Sequence, residues 1–437
     1  YEVGKGDIDI VLGGQKNIRR EYTHPTGIKQ AGMYMRLNTL NYGFRYNAPK
    51  FANIETSIGI NGMLQNNKNK DATDFPIPDY NLYDGGIYLY GKWKKDRWSV
   101  SGGIRYDLRH VHWNDFYVCT NPITGFEQLS NADDPNADLQ FEAFKKTYHG
   151  VSGSIGATFQ AHKNISLKAN IGRAYRAPNI TEIGSNGLDP GAHIIYLGNR
   201  TFAPEFSLQE DFGIRLKFDN LSGEISIFNN NIQNFIFMSA LADNHENPIL
   251  DAQGNRTYQY QQSKAQLNGG EFWLAVHPKA LKGFRWNNSS SLVYGFNRKK
   301  DLKGKETAGE YLPLIPPLIF NSSLSQRFEP KSHWLTTMIP KFEMEYSAAQ
   351  NKYLAVGGTE TATPAYTLFN IGFTAEITYA DNEYIQLLFQ ANNLLNQVYQ
   401  SHLSRLKYFE YYEHSPSRRY GIYNMGRNFV VKVIVPF

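Results

Sequence analysis

The alternation of apolar and polar residues recurs from one end of the chain to the other. In the last segment, Phe429, Val431 and Val433 fall on one face of an extended chain, while Asn428 and Lys432 fall on the other. Successive side chains of a β-strand point to opposite faces, so this period of two predicts strands with one apolar face. The polar faces are rich in Asn, Gln, Ser and Gly, a composition that favours a wet interior.

The same pattern predicts about sixteen strands. They lie near residues 6–20, 29–46, 50–65, 80–93, 96–112, 142–160, 163–174, 206–218, 222–238, 257–276, 283–296, 317–328, 333–347, 364–378, 382–394 and 425–437. Short turns, for example near Asn47–Lys50 and Lys94–Asp96, alternate with long connections, for example at 113–141, 175–205 and 395–424. This alternation is typical of barrels in the outer membrane, which have tight turns on one side and long loops on the other.

Composition agrees with such a barrel and excludes other classes. Aromatic residues make up 14% of the 437 residues, as expected for the aromatic girdles of a barrel, and no apolar run is long enough for a transmembrane helix. The single Cys119 excludes a disulfide framework within the chain. A net charge of +5 without a basic block gives no reason to expect nucleic acid, and no catalytic motif is found, so we expect no enzyme. The polar start of the chain reads as a strand, and its final Phe437 ends an alternating strand as in barrel assembly signals.

Several segments together resemble TonB-dependent outer-membrane receptors. Asn170–Pro178 (NIGRAYRAP) and Leu197–Glu205 (LGNRTFAPE) are similar to two boxes that flank one extracellular loop in that family. Trp98–Asp107 (WSVSGGIRYD) resembles its GxRYD strand, Leu312–Pro317 (LPLIPP) its proline-rich turn, and Gln390–Tyr399 (QANNLLNQVY) its NLFNxxY element. The order and spacing of these segments over residues 96–437 carry the resemblance.

The resemblance implies an all-β, antiparallel transmembrane barrel of twenty-two strands around an N-terminal plug. Residues 1–437 would then be the C-terminal portion of the barrel, with about sixteen strands, and the plug, the first strands and the TonB box would lie outside this sequence. We therefore expect a multi-pass protein of the Gram-negative outer membrane, in contact with its lipid and lipopolysaccharide, and driven through the plug by the TonB complex of the inner membrane.

The resemblance implies that the function is the active import of a scarce nutrient, and the preferred cargo is an iron complex such as a siderophore or heme. It implies no covalently bound cofactor. Two alternatives stay open. One is a passive porin of sixteen strands, and the other is a surface docking barrel that works with a lipoprotein partner. An outer-membrane hydrolase would need a Ser/His/Asp set that the sequence does not supply.

Candidate ligand-binding residues lie in and between the two boxes. Heme receptors of the family carry a histidine between the boxes, where this chain has His193, and an imidazole can bind heme iron. Tyr175 and Arg176 of the first box are further candidates to contact the ligand. The alternative is that His193 does not bind heme and is an ordinary loop residue.

The last long loop offers a second candidate site. Arg405, Arg418 and Arg419 lie there with His402 and His414. Arginine pairs well with anionic oxygen, so this loop is suited to gripping an anionic iron chelate. The same basic residues would also suit a loop that rests against lipopolysaccharide.

A candidate metal site lies near the end of one predicted strand. His110 and His112 are two residues apart and therefore point to the same side, with Asp115 and Cys119 nearby. These residue types bind Zn²⁺ and similar metals. The alternative is a polar extension of the strand beside an interfacial Trp113.

Overall fold

The computed structural model describes residues 2–4, 6–24, 27–245, 247–304, 309–380, 383–409 and 421–435, and in these residues it is almost entirely β-structure. Nineteen strands form one large sheet, and β7, β8 and β9 form a separate small one. In chain order the strands are β1 (Glu2–Val3), β2 (Gly6–Glu21), β3 (Met33–Phe51), β4 (Ile54–Asn69), β5 (Tyr80–Lys95), β6 (Trp98–Trp113), β7 (Phe116–Thr120), β8 (Glu127–Ser130), β9 (Asp138–Phe141), β10 (Phe144–His162), β11 (Ile165–Arg176), β12 (Asn186–Asp189), β13 (Ile194–Leu197), β14 (Glu205–Lys217), β15 (Leu221–Ala240), β16 (Arg256–Val276), β17 (Phe284–Asn297), β18 (Ile319–Gln326), β19 (Leu335–Ser347), β20 (Tyr366–Ala380), β21 (Glu383–Asn392) and β22 (Asn428–Ile434).

The long strands form an antiparallel meander, in which each pairs with the next long strand along the chain. Every predicted strand segment overlaps one of them. Because short and long connections alternate, all the long loops lie at one end of the sheet, called here the loop end.

The two faces of the sheet differ as the alternation predicts. On β6, Ile104, Tyr106 and Leu108 are exposed on the outer face. Their neighbours Arg105 and Asp107 point to the other face and line a cavity with residues of β3, β4, β5 and β11. The apolar face is therefore the outer one, and the polar face lines the interior.

The first tight turn lies several residues later than predicted. Asn47–Lys50 belong to β3, and the chain reverses at Ala52 and Asn53, whose φ angles are 45° and 66°. Two-residue hairpins favour positive φ at both central residues, and Asn tolerates this conformation well. Pro49 lies at a register shift between Ala48 and Phe51, where the ladder is interrupted.

The long loops contain structure that the alternation did not predict. Residues 113–141 hold the three-stranded sheet β7–β9, and 175–205 hold the helix α1 (Ile180–Gly184) and the hairpin β12–β13. Strand β13 adds to the free edge of β16 in parallel, which ties this loop to a distant part of the sheet. The predicted loops are therefore folded segments that lie over the loop end.

The sheet keeps open edges within the described residues. No ladder joins β2 to β22 there, and the second edge of β2 is paired only by the two-residue β1. The described part of the chain has no helix long and apolar enough to cross a bilayer. The predicted Phe437 signal lies outside the described residues.

Candidate functional site

The interior wall near the loop end carries paired charges around a cavity of about 710 Å³. The guanidinium of Arg109 donates to both carboxylate oxygens of Asp84 at 2.7 Å. Arg105 Nε donates to Asp107 at 2.7 and 2.8 Å, and Arg105 Nη1 donates to Asn61. The wall therefore presents balanced ion pairs to the cavity.

An apolar cluster, called here the apolar loop core, covers this end of the sheet over β4–β11. It combines buried residues of the strands with residues of three long loops. The members are Ala72, Phe75, Tyr80, Leu82, Val111, Trp113, Phe116, Val118, Phe141, Tyr148, Ala177, Ile180, Ile183, Phe202 and Ile236. Burial of these side chains holds the loops down on the sheet, because removing apolar surface from water is the main stabilising term in folding.

Arg176 lies at the end of β11, between two carboxylates. It donates to both oxygens of Glu182 at 2.9 Å and to Glu205 at 2.6 Å. Glu182 is also the N3 residue of α1 and completes a capping box with Asn179. The other oxygen of Glu205 accepts from the backbone of Ile236 at 2.5 Å. This triad fastens the two sequence boxes to each other and to β15.

Tyrosines and arginines meet where β13 pairs with β16. Tyr196 is the ladder partner of Tyr258, and the charge of Tyr260 also acts on Tyr196. Burial raises the pKa of the Tyr196 phenol to about 12, and nearby Arg405 opposes that shift. The guanidinium of Arg256 lies 5.6 Å from the centre of the Tyr258 ring and donates to the Gly358 carbonyl at 3.5 Å. We call Tyr196, Arg256, Tyr258 and Tyr260 the Tyr–Arg cluster.

A second set of loops closes over β19–β22 through buried polar groups. Lys407 Nζ donates to the carbonyls of Thr361 and Ala362 at 2.8 and 2.9 Å and to Thr363 Oγ1 at 2.5 Å. The Thr363 hydroxyl lies 2.7 Å from His402 Nδ1. Because Thr363 accepts from Lys407, its own proton goes to Nδ1, and the His402 Nε2 proton then faces Glu360.

The contacts of Glu360 complete this set. Its Oε1 lies 3.7 Å from His402 Nε2 and accepts from the Leu314 backbone at 2.8 Å. Its Oε2 accepts from the Leu354 backbone at 3.1 Å. Tyr408 donates to the His402 carbonyl at 3.0 Å. Together with Lys407 and Thr363, these residues are called here the polar loop cluster.

The sheet, with its apolar outer face, its polar inner face and its folded loops, has the geometry of a barrel wall. Residues 8–394 match the family model described as TonB dependent receptor-like, beta-barrel. The chain belongs to this family of receptors. The resemblance that the sequence boxes predicted is confirmed, and the family is one of transport receptors rather than enzymes.

Two curated relatives match parts of this receptor barrel. The ferric enterobactin receptor of Pseudomonas aeruginosa is 28% identical over 190 residues, which is 40% of this chain and 24% of that protein. The probable TonB-dependent siderophore receptor PirA of Acinetobacter baumannii is 23% identical over 214 residues, which is 45% of this chain and 27% of that protein. The matched stretches thus cover about a quarter of each relative.

Solved structures share the fold over nearly the whole receptor barrel. The copper transporter OprC aligns with 98% of this chain and 62% of its own, at a TM-score of 0.66 and 17% identity. The FrpB iron transporter from Neisseria meningitidis aligns with 98% of this chain and 59% of its own, at a TM-score of 0.63 and 13% identity. The receptor barrel therefore spans about three fifths of the length of these neighbours.

The candidate residues of the boxes have different surroundings in this receptor barrel. Tyr175 packs against the apolar loop core and its ring lies 5.6 Å from that of Phe206. Arg176 is engaged by the two carboxylates described above. His193 lies in the turn between β12 and β13 with a φ of 53°. The structure does not bring His193 together with Arg176, and ligand binding by these residues stays a prediction.

The last long loop is only partly described. Arg405 is exposed and lies close to Tyr196, whereas His402 is buried in the polar loop cluster. Arg418 and Arg419 lie outside the described residues, as does His414. Of the three arginines predicted to bind an anionic chelate, Arg405 is therefore the one that the structure describes, and it lies beside the Tyr–Arg cluster.

His110 and His112 lie side by side, with ring centres 5.7 Å apart. They belong to the same face of β6 as the exposed Leu108, which is the outer face. His110 Nδ1 contacts the Thr147 hydroxyl at 2.8 Å, and His112 Nε2 lies 3.4 Å from the Asn81 amide. Across the described ranges, no three His, Cys, Asp or Glu side chains group as metal ligands. The metal site stays a prediction.

Sequence reasoning missed Tyr196, Arg256, Tyr258 and Tyr260. The signal for three of them is the alternation Arg-x-Tyr-x-Tyr at the start of β16, which puts all three on one face. Tyr196 has no such signal, because its approach depends on the parallel pairing of β13 with β16.

Proposed function

We propose that this chain forms the larger part of the barrel of an outer-membrane, TonB-dependent transporter that imports an iron complex. The Tyr–Arg cluster carries the proposal. It combines aromatic rings and guanidinium groups at the loop end, the end of the sheet at which a ligand from outside would first arrive. Aromatic rings and arginines together suit a large, flat anionic chelate.

The relatives support iron as the cargo. Those with matching sequence are named for siderophores or ferric enterobactin. Among the structural neighbours, one is an iron transporter and another transports copper. A siderophore complex is favoured over heme, since both relatives with matching sequence are named as siderophore or ferric enterobactin receptors.

The rest of the transporter is part of the proposal. The edges of β2 and β22 carry unpaired backbone groups, which cannot remain unpaired against lipid. We propose that further strands close the barrel, that a plug fills it and that the TonB complex acts on the plug. The apolar loop core favours such a gated receptor over a passive porin, because it packs three long loops onto the end of the sheet.

Uptake of iron by cells that lack the gene or carry variants of it tests the proposal. Cells with the full-length protein are expected to take up a ferric catecholate and to lose that uptake when TonB is inactivated. Uptake that persists without TonB would support the porin instead. Growth on heme alone, without uptake of any ferric siderophore, would overturn the assignment of cargo.

Binding to the purified full-length protein tests the site. Tyr260→Leu and Arg405→Gln are each expected to weaken ferric siderophore binding about tenfold or more, because each removes a large contact or a charge. Tyr423→Leu and Arg427→Gln are the controls, since both residues are exposed in the last long loop, which also carries Arg405. Equal losses in both pairs would place the ligand elsewhere.

A further inference from the structure

The outer face of the sheet is apolar in one sector and polar in another at a similar distance from the tight turns. Ladder partners lie side by side, so the register of the strands defines rows of residues across the sheet. In β2–β6 and β10 one row is entirely apolar or aromatic and consists of Ile10, Phe44, Ile60, Ile87, Tyr106 and Val151. In β14–β16 a row consists of Glu210, Asn229 and Asn268. Glu210 lies seven residues before Lys217, where β14 ends, and Tyr106 lies eight residues after Trp98, where β6 begins.

Glu210 belongs to the outer face of the sheet. Leu208 and Phe212 lie two residues to either side of it on β14 and are exposed at 41% and 44%. Residues two apart on a strand share a face. On β15 the exposed Ile225 and Ile227 continue the outer rows of β14. The carboxylate therefore lies among apolar side chains on the face that we expect to meet lipid.

Hydrogen bonds join the polar side chains of this sector from strand to strand. Arg298, which directly follows β17, donates from Nε to the Gln266 amide oxygen at 2.9 Å, and Gln266 donates to Asn229 at 2.7 Å. Asn229 in turn donates to Glu210 at 2.9 Å. Asn231 is the ladder partner of Gln266, one row nearer the loop end. We call the polar residues of these rows the outer polar patch, which consists of Glu210, Asn229, Asn231, Gln266 and Asn268.

Part of the outer polar patch has no partner within the described residues. There, the second carboxylate oxygen of Glu210 accepts no hydrogen bond, and no cation lies within ion-pair distance of it. The side chains of Asn231 and Asn268 likewise have no hydrogen-bond partner in the described part of the chain. The nearby Arg173 donates to the Val151 carbonyl instead. Polar groups without partners are costly against acyl chains, so protein suits this sector better than lipid.

We infer that a second copy of this chain covers the outer polar patch, and that the two copies pair through the outer faces of β14–β16. The inference rests on the outer-membrane location in the proposed function. A two-fold axis along the membrane normal, passing beside β15, places β14 of one copy against β16 of the other. The free carboxylate oxygen of Glu210 then meets the free amide of Asn268 from the second copy, and the symmetry forms this contact twice.

The chemistry of the patch is complementary to itself. An amide carries both donors and acceptors, so two copies of Asn231 that meet near the axis can bond to each other. A carboxylate only accepts, and the axis supplies Glu210 with the amide donor of Asn268. Strands of outer-membrane barrels tilt by about 35–45°. Over two strand spacings the two residues therefore differ in height by about 6 Å, which their side chains can bridge together.

Cysteine cross-linking in isolated outer membranes tests the pairing. The full-length protein is made in a cysteine-free form, which includes Cys119→Ala, and then receives one new cysteine. Asn231→Cys is the test position beside the axis. Ile87→Cys is the matched control, on the outer face of the apolar sector and eight residues before the end of β5 at Lys95. With a short bis-maleimide, Asn231→Cys is expected to yield at least tenfold more product of twice the mass than Ile87→Cys.

Two differently tagged copies test the direction of the axis. Glu210→Cys in one copy and Asn268→Cys in the other should cross-link at least threefold more than two copies of Glu210→Cys, because the axis separates equal residues of β14. Equal yields from these two combinations would overturn the inference. So would equal yields from the test and control positions, which would mean random collision, or a product that joins the chain to a different protein.

Removal of the polar groups tests the inference without added cysteines. Glu210→Leu with Asn268→Leu makes this sector as apolar as the other, so the variant should fold and reach the membrane. Its dimer fraction in native mass spectrometry of the extracted full-length protein should fall at least tenfold. The control, Asn38→Leu with Asn81→Leu on the outer face of β3 and β5, should keep the dimer fraction of the wild type. An unchanged fraction in the first variant would overturn the inference.

Uptake measurements separate this inference from the proposed function. Siderophore uptake by the variant Glu210→Leu with Asn268→Leu should remain within about twofold of the wild type, because the patch faces away from the interior of the barrel. Loss of that uptake while the dimer persists would assign the patch to transport and overturn the inference. If the protein takes up no siderophore but Asn231→Cys still cross-links to a second copy, the proposed function alone is contradicted.

Discussion

The two groups of loops at the loop end are closed in different ways. In the apolar loop core, Phe75 and Phe116 pack with ring centres 5.5 Å apart among other buried apolar side chains. In the polar loop cluster, Glu360, His402 and Lys407 are 2–5% exposed and are held by directed hydrogen bonds. Apolar packing is insensitive to proton concentration, whereas buried ionisable groups respond to it.

This difference predicts which loops can open separately. The first group should open when apolar side chains are truncated and should not open in acid, because packing holds the apolar loop core together. The second group should open with pH or with loss of a single partner, because buried polar groups are costly once unpaired. Hydrogen exchange of the two groups in the full-length protein measures both.

The largest expected effect is that of Phe75→Ala. Truncating a fully buried phenylalanine costs about 3–5 kcal/mol, so protection in residues 70–79 and 180–184 should fall while that of the polar loop cluster stays unchanged. Ile123→Ala is the control, because Ile123 is 92% exposed and belongs to the same group of loops. A loss of protection in both groups would mean that they open as one unit.

Lys407→Met should cost about 3 kcal/mol in the second group. It leaves the Thr361 and Ala362 carbonyls without their donor and removes the positive charge near Glu360. Protection of residues 356–363 is expected to fall, with the first group unaffected. The same change at the exposed Lys300 is the control. Unchanged protection after Lys407→Met would show that packing alone closes these loops.

Acid should open the polar loop cluster. Burial, together with the nearby charge of Lys407, lowers the pKa of His402 to about 4. An exposed histidine titrates near 6.5, so the open loop takes up the proton first as the pH falls from about 6.5 to about 4. Closure then loses as much as about 3 kcal/mol over that window. Exchange at pH 7 and pH 5 measures the loss, and His402→Gln should abolish most of it.

Two other groups set the limits of this response. Burial raises the pKa of Glu360, so the closed state binds that proton more readily and acid partly restores closure. Burial lowers the pKa of Lys407 to about 8, so closure should gain stability as the pH rises from about 8 towards 10.5. Protection of the second group that increases steadily on acidification would contradict the role given to His402.

Acid should stabilise the closed state of the first group of loops, which is the opposite of its effect on the polar loop cluster. Burial raises the pKa of Asp74 and of Glu127, which lie on loops of the apolar loop core. The closed loops therefore bind those protons more readily than the open ones, and acid favours closure. The same exchange measurement at pH 7 and pH 5 checks this, and parallel loss of protection in both groups would contradict it.

The smallest expected effect is that of Tyr408→Phe. It removes the hydroxyl that donates to the His402 carbonyl at 3.0 Å, which should cost about 1 kcal/mol. A modest loss of protection near residues 399–409 is expected. A loss as large as that of Lys407→Met would mean that Tyr408 positions His402 rather than only bonding to it.

The strands were predictable because their signal is local. In β6 the exposed Ile104, Tyr106 and Leu108 alternate with charged residues, and this alternation is visible in six consecutive letters of the sequence. The first turn lies at Ala52–Asn53 and not at the predicted Asn47–Lys50, because the alternation marks the strands but does not mark the two residues that adopt positive φ.

The site was less predictable because it depends on contacts between distant segments. The ion pairs of Arg176 join residues up to 29 positions apart, and Tyr196 reaches Tyr258 only through a parallel ladder. The sequence groups His402 with the basic residues of the last long loop, but its side chain contacts residues that lie 39 to 42 positions earlier in the chain. No periodic pattern of apolar and polar residues predicts these contacts between distant segments.

The parallel ladder between β13 and β16 has a consequence for entry of a ligand. It joins Ile194–Leu197 to Arg256–Gln259, and farther along β16 the side chain of Gln262 bonds to the backbone of Ala203 in the same loop. Detaching this ladder would break its main-chain hydrogen bonds and leave both the Arg176 triad and the bonds of Asn186 to Pro76 and Gln140 intact, so residues 187–197 could swing out as a flap. Its pivot would be Gly198, where a methyl group would approach the Ile183 and Ser185 backbone to 2.9 Å.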